Sequence, residues 1–423
     1  MFYVPAILIG RSVRSLIRRF RPGGGSALPG LILSKIAPGL LSKTLNGFPG
    51  GLVVVTGSAG KSTTTKMLVA IARAHGKEVF TNPSTANIAQ GFFSAILERS
   101  NVFGKISGDV AILEMDEGHA AEITSRVAPA QSTILNVLED QLDRFVDPAV
   151  VREKLSLVAE RTKGAVLLNA DDQNTLLIGS KLENSNQLEW FGIAHHLIEA
   201  TEHGLGSAPT YLDELPRPMV TAEILSVVGT HATASVYGQS TEFNLPNRGL
   251  HYALDSIAAL QSAKNFLGEE FDLSLAARVL DELPPVFARG EIAEVNGEDC
   301  EFILVQNPMS FQLNLDNLTT KPEQIMVAIG RDVHDPSWLW TVDLSNLSHA
   351  DVVSGYNFAE IALRLTYAGV PIKAVEGDLE KALALFFAMP KPANGMKTVI
   401  FSADAMRRTR RILGFTDPEA VER

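Results

Sequence analysis

The residues best suited to chemistry occupy positions 56 to 65, Thr-Gly-Ser-Ala-Gly-Lys-Ser-Thr-Thr-Thr. Gly57 and Gly60 let backbone N–H groups close on an anion without a Cβ in the way, and the helix that follows adds its positive end. Ser58 and Ala59 lie between the two glycines, and Thr63 begins the helical pattern. Lys61 would reach the β- and γ-phosphates of a nucleotide, and the Ser62 hydroxyl would sit on Mg²⁺. The usual pattern has another glycine five residues before Gly60; position 55 is Val, so the loop is a shortened form. A Gly-rich turn between strand and helix can also be simple packing.

Three further polar groups follow apolar runs. Glu114 ends Val-Ala-Ile-Leu-Glu and is followed by Met115, Asp116 and Glu117. A carboxylate at the carboxyl end of a strand near a phosphate loop can hold a metal or its water, or can simply be solvated. Asn136 begins a cluster that runs through Glu139, Asp140, Gln141, Asp143 and Arg144. It could read a nucleotide, ligate metal and clamp an acidic substrate, or form a cap and a salt-bridged turn. Asp171 and Asp172 suit either a site or an N-cap. Lys154 reads as a solvated helix lysine, His195-His196 as loop surface, and Cys300 as packed rather than nucleophilic.

The elements that must position these residues alternate. Strands are predicted at 52–55, 78–81, 110–114, 132–136 and 165–168, with helices between them, including 63–73 and 149–160. Such alternation means βαβ units and a mostly parallel sheet covered on both faces, with ligands beyond the strands' carboxyl ends. Residues 219–245 read as an antiparallel meander of three short runs, and 251–266 and 273–282 as helices. A second βα series starts after Pro284-Pro285, with strands at 302–305, 325–329, 351–353, 372–375 and 398–401 and clear helices at 357–368 and 379–388. The domains expected are 1–43, an amphipathic basic helix and linker; 44–286, a central nucleotide-binding domain; and 287–423, a Rossmann-like α/β domain.

Composition excludes several classes. One cysteine in 423 residues rules out a disulfide framework and a four-cysteine zinc site. Eleven Lys and Arg precede the first acidic residue, Glu78, which leaves −22 for the rest of a chain whose net charge is −11. The acidic bulk argues against a nucleic-acid partner. The basic leading part suits a nucleotide or an anionic membrane surface. Positions 1–20 read as an amphipathic helix, too short in its apolar run to span a bilayer, that packs on the body or lies at a membrane interface.

Taken together, these residues resemble the Mur ligase superfamily. The stretches that carry the resemblance are 24–30, the loop 56–63, the Asp140–Arg144 cluster, 169–172, Gly330-Arg331-Asp332-Val333 with Ser337-Trp338-Leu339-Trp340, and 364–370. It runs from about Gly24 to Leu413 and points to the ligase subunits of lipid II isoglutaminyl synthases, because amino-acid-adding Mur ligases usually have His where Gln141 stands. The resemblance implies a central P-loop ATPase domain and a C-terminal domain that contacts a GatD-type glutaminase. It implies ATP-dependent conversion of the D-glutamate α-carboxylate of lipid II to an amide, in the cytoplasm at the inner membrane face of a bacterium, with ammonia from the partner.

By family position, residues 57–63 cradle ATP, with Asn136 and Asp255 on the nucleotide side. Ser62, Glu114 and Asp140 hold Mg²⁺, and Glu114 and Asp143 serve catalysis. Asp332 or Asp335, with Asp332 preferred, would orient the partner's histidine. The chain departs from the family where many members carry a zinc ribbon, near 194–218, so no structural zinc is expected. Gln306 stands for a family Lys, Asp255 for an adenine-side Asn, and Ala59 for a loop Asn; Lys154 falls only near the lysine that other Mur ligases carbamylate. The alternatives are an amino-acid-adding ligase of the Mur or folylpolyglutamate type and a catalytically inactive nucleotide-binding subunit.

Overall fold

The run Leu52–Thr56 (β1) is buried at every position because its alternate residues enter different cores, Val53 and Val55 one, Leu52 and Val54 the other. A strand apolar on both faces needs cover on both. The computed structural model, which describes residues 3–20, 27–82, 88–138, 147–182, 188–284, 289–318 and 322–415, supplies that cover. Glu139, Asp140, Gln141, Asp143 and Arg144 lie outside the described residues.

The strands after β1 are β2 (Val79–Phe80), β3 (Val110–Glu114), β4 (Gln131–Ile134), β5 (Val166–Asn169), β6 (Leu188–Ile193), β7 (Ala222–Val228), β8 (His231–Val236) and β9 (Gln239–Asn244). They form one nine-stranded sheet in the order β2-β3-β1-β4-β5-β6-β7-β8-β9. The pairs from β2 through β7 are parallel, and β7-β8-β9 is the antiparallel meander. Helices Lys61–Ala74, Leu250–Leu267 and Leu273–Glu282 cover one face. Helices Val4–Phe20, Ala27–Ile36, Gly39–Leu45 and Ala89–Arg99 cover the other. The leading helices are therefore part of the fold.

The second sheet contains β10 (Arg289–Val295), β11 (Glu298–Leu304), β12 (Gln324–Ala328), β13 (Ala350–Ser354), β14 (Ile372–Val375) and β15 (Lys397–Phe401), in the order β10-β11-β15-β12-β13-β14. All pairs but the β10–β11 hairpin are parallel. The two sheets meet where helix Pro308–Asp316 docks on the turn after helix His195–Glu199. Asp316 Oδ2 lies 3.0 Å from His203 Nδ1, and Met309 covers Gly206, where a Cβ would clash.

Two strands, β6 and β10, go beyond the sequence expectation. In β6, Leu-Glu-Trp-Phe-Gly-Ile is half-buried at its first three positions and offers no clean periodicity. The β10–β11 hairpin does carry a signal: Asn296 and Gly297 both take positive φ, as a two-residue hairpin turn requires. His195-His196, expected as loop surface, are exposed but start the five-residue helix His195–Glu199, whose Leu197 and Ile198 pack on the core.

Asp171 and Asp172 are both structural. Arg217 Nε donates to Asp171 at 2.7 Å, as does the Ile193 amide. Asp172 caps helix Gln173–Ser180 through the Asn174 and Thr175 amides and also accepts from Val137 N at 2.7 Å. Burial pushes the Asp172 carboxyl up to about 6 despite those bonds. Asp172→Ala is expected to destabilise the protein by about 2–4 kcal/mol, the cap plus an orphaned buried amide, as read by urea unfolding. Because the folded-state value is raised, Asp172's contribution to stability falls as pH rises from about 4 to about 6. The stability gap between wild type and Asp172→Ala should therefore narrow over that window.

Candidate active site

The loop 57–60 emerges between β3 and β4, where the chain turns from building the sheet on one side of β1 to building it on the other. Crevices at such points are where α/β sheets hold ligands. Gly57 has φ 132° and Gly60 φ 84°, both costly for a residue with a Cβ. Space is equally restrictive. A Cβ at Gly57 would lie 3.0 Å from the Asn136 backbone, and one at Gly60 would lie 2.1 Å from Asp255 Oδ1.

Asn136 holds the loop. Its carbonyl accepts from Ser58 N at 3.0 Å, and its side chain accepts from Ala59 N at 2.8 Å and donates to Ala59 O at 3.3 Å. The Leu138 amide donates to Ser58 Oγ at 3.0 Å. The Ser58 and Ala59 amides thus set the shape of the loop, and anion-facing donors must come from the first turn of helix Lys61–Ala74. Ser62 is half-buried and Thr63 buried in that turn.

Lys61 folds back over the loop. Its Nζ donates to Gly57 O at 2.5 Å and Ser58 O at 3.0 Å and pairs with Glu117 Oε2 at 3.3 Å. Glu117 is 3% exposed and opens helix Glu117–Thr124, which Asp116 caps. Glu114 stands opposite Val55 at the end of β3, and its backbone is locked by both ends of the Asn82 amide, at 3.0 and 3.1 Å. Asp255, on helix Leu250–Leu267, brings a buried carboxylate against Gly60. A lysine, a helix start, the Ser62 hydroxyl and the buried Glu114 fit a nucleoside triphosphate with a hard divalent cation. The small-residue cradle that a Cβ would fill fits it too.

Glu117 and Asn82 are the participants that sequence reasoning missed. Glu117 has a signal, an acidic residue directly after a capping Asp; Asn82 has none, because its partner is thirty-two residues away.

The segment 330–342 lies beyond β12 and β15. Asp332 is committed: its oxygens accept from Ser402 Oγ at 2.6 Å and from the Ala403 and Asp404 amides at 2.9 Å, capping helix Ala403–Leu413. Asp335 caps only the short turn Pro336–Thr341, and the Ser337 side chain and amide hold its carboxyl below the usual range. Arg364 donates to Leu339 O and Val342 O, and Asn357 to Gly330 O and Val333 O, so the segment is tied to its sheet. Asn307 forms a capping box with Ser310, next to Gln306. Lys154 is half-buried on helix Pro148–Arg161. Cys300 is buried in β11, where desolvation pushes its thiol up.

Comparison with known proteins agrees with this architecture. A family profile described as Mur ligase middle domain matches residues 55–216, and one described as MurT ligase C-terminal matches 304–402. The chain is 26% identical to the lipid II isoglutaminyl synthase (glutamine-hydrolyzing) subunit MurT of Streptococcus pneumoniae, over 89% of this chain and 90% of that one. It is 30% identical to the MurT subunit of Staphylococcus aureus, over 41% of this chain and 38% of that one. Among solved structures, the MurF ligase of Thermotoga maritima in complex with ADP superposes with a TM-score of 0.63 at 19% identity, covering 91% of this chain and 83% of that one. That likeness carries the fold alone.

Gly60→Ala is expected to cost roughly 1–2 kcal/mol locally from φ alone. With the Asp255 contact, it should weaken ATP binding at least tenfold in calorimetry. Lys61→Ala should weaken it further while leaving the fold, read by circular dichroism, intact.

Proposed function

We propose, for a chain that belongs to the Mur ligase family and carries the MurT-type C-terminal domain, that it amidates a peptidoglycan precursor. It is an ATP-dependent ligase that forms a carbon–nitrogen bond. The substrate we assign is the α-carboxylate of the D-glutamate in the lipid II stem peptide, and the place is the inner face of the cytoplasmic membrane. The observation that carries this reading is the short loop 57–60 at the switch point of the sheet, with Lys61 over it and the buried Glu114 beside it.

The carboxylate attacks the γ-phosphorus of ATP, giving an acyl phosphate and ADP. Ammonia then adds to the acyl carbon, loses a proton, and expels phosphate to leave the amide. Lys61 would leave Glu117 and its loop carbonyls to neutralise the phosphate charge as it moves. Ser62 and Glu114, with Asp140, would hold Mg²⁺, which would supply positive charge against that same phosphate. We assign Asp143 to the same polar cluster. Asn136 acts through the loop, and Asp255 is the group that a nucleotide must pass or pair with.

Nitrogen has to come from elsewhere, because Cys300 is buried with a raised thiol and cannot open glutamine. This supports a glutaminase partner of the GatD type docked on the C-terminal domain. Between the two aspartates, the role of orienting the partner's histidine goes to Asp335, because both oxygens of Asp332 are engaged in capping.

Purified protein with ATP, Mg²⁺, lipid II and ammonium should yield a product lighter by the difference between OH and NH₂ in mass spectrometry. Unchanged lipid II would sink the reading. With glutamine and the partner, Asp335→Asn should reduce turnover at least tenfold while ammonium still supports full rate. Equal loss with both nitrogen sources would remove Asp335 from the partner role.

A further inference from the structure

Helix Val4–Phe20 has two unlike faces. Ala6, Ile7 and Gly10 are buried against the body. Gly10 fixes the roll of the helix, since a Cβ there would lie 2.8 Å from Leu97 Cδ2. Arg11 adds bonds to Leu97 O and Ser100 O, and Arg14 pairs with Glu98 at 2.6 Å. The helix therefore cannot turn its other side inward.

That other side is a stripe at helical spacing: Leu8, Ile9, Ser12, Ser15, Leu16 and Arg19. Leu8 and Ile9 are each 50% exposed and Leu16 is 59% exposed. It contains no carboxylate, and the first 77 residues of the chain contain none. Two elements packed near the helix also expose basic or apolar side chains. The next helix ends in the exposed Lys35 and Ile36, and the turn 101–104, packed on Ile7 and Leu40 through Gly104, exposes Phe103. Among the described residues no helix is long and apolar enough to cross a membrane.

We propose that this face is a docking surface for an anionic lipid bilayer, with the helix lying in the interface and Leu8, Ile9 and Leu16 entering the headgroup boundary. Charge decides the occupant. A rigid apolar stripe on leading helices whose first 45 residues carry seven Lys and Arg and no carboxylate, while the rest of the chain sums to −18, matches a negative surface. A protein partner for the same stripe would need to be acidic and apolar in the same register.

Full-length protein is mixed with vesicles of equal parts phosphatidylglycerol and phosphatidylcholine, or of phosphatidylcholine alone, and sedimented at low and high salt. Neither ATP nor lipid II is present, so the result is independent of catalysis. Wild type should bind the anionic vesicles, bind the neutral ones at least tenfold more weakly, and lose affinity as salt rises. Leu8→Ser with Ile9→Ser and Leu16→Ser should cut binding at least tenfold, and Arg19→Glu with Lys35→Glu by a similar factor. Both variants should keep wild-type circular dichroism and ATP affinity. Wild type that stays in the supernatant, equal binding to both vesicles, or unchanged binding of the serine variant would overturn the proposal. So would self-association that the serine variant abolishes, which would make the stripe an interface between copies.

Discussion

The glycine loop 57–60 depends on three consecutive residues just past the end of β4. Asn136 grips the loop from both sides of its own amide, Val137 donates to the buried Asp172, and Leu138 donates to Ser58 Oγ. The short stretch 136–138 thus joins the loop after β1 to the helix cap after β5. Loops that must accept an anion have few internal bonds, so their shape has to be imposed from a neighbouring strand. Here the sheet does it, through a strand whose own position follows from burial on both faces.

The electrostatics follow from the same frame. Lys61 is a largely buried cation, and a buried charge is costly unless it is paired. Glu117 and two loop carbonyls hold its Nζ above the loop. Glu114 is fixed through its backbone by Asn82, so the strand itself sets where its carboxylate stands. The Asp255 carboxyl stands over Gly60 from the facing helix, close enough that a Cβ there would clash with it.

The leading helices show how a surface and a core can be written in one segment. Leu33, Leu40, Leu41 and Ile7 fill the core under β1 and β3, while Leu8, Ile9 and Leu16 are held outward by the close seat of Gly10. Amphipathic periodicity alone leaves open whether that helix packs or faces outward. It does both, because the apolar residues are too many and too widely spread for one face.

Much of this protein is legible in its residues alone. The alternating strands, the loop at 57–60, the strand-end Glu114 and the meander all follow from local patterns, because backbone freedom, burial periodicity and turn chemistry act over a few residues. Groups that lie far apart in the chain are not legible in that way. The Lys61–Glu117 pair, the Asn82 lock, the Asn136 brace and the separate fates of Asp332 and Asp335 join residues from different elements. No spacing rule connects them; only the packing of the sheets brings them within bonding distance. The types of group at the site are thus a property of the sequence, and which of them meet is a property of the fold.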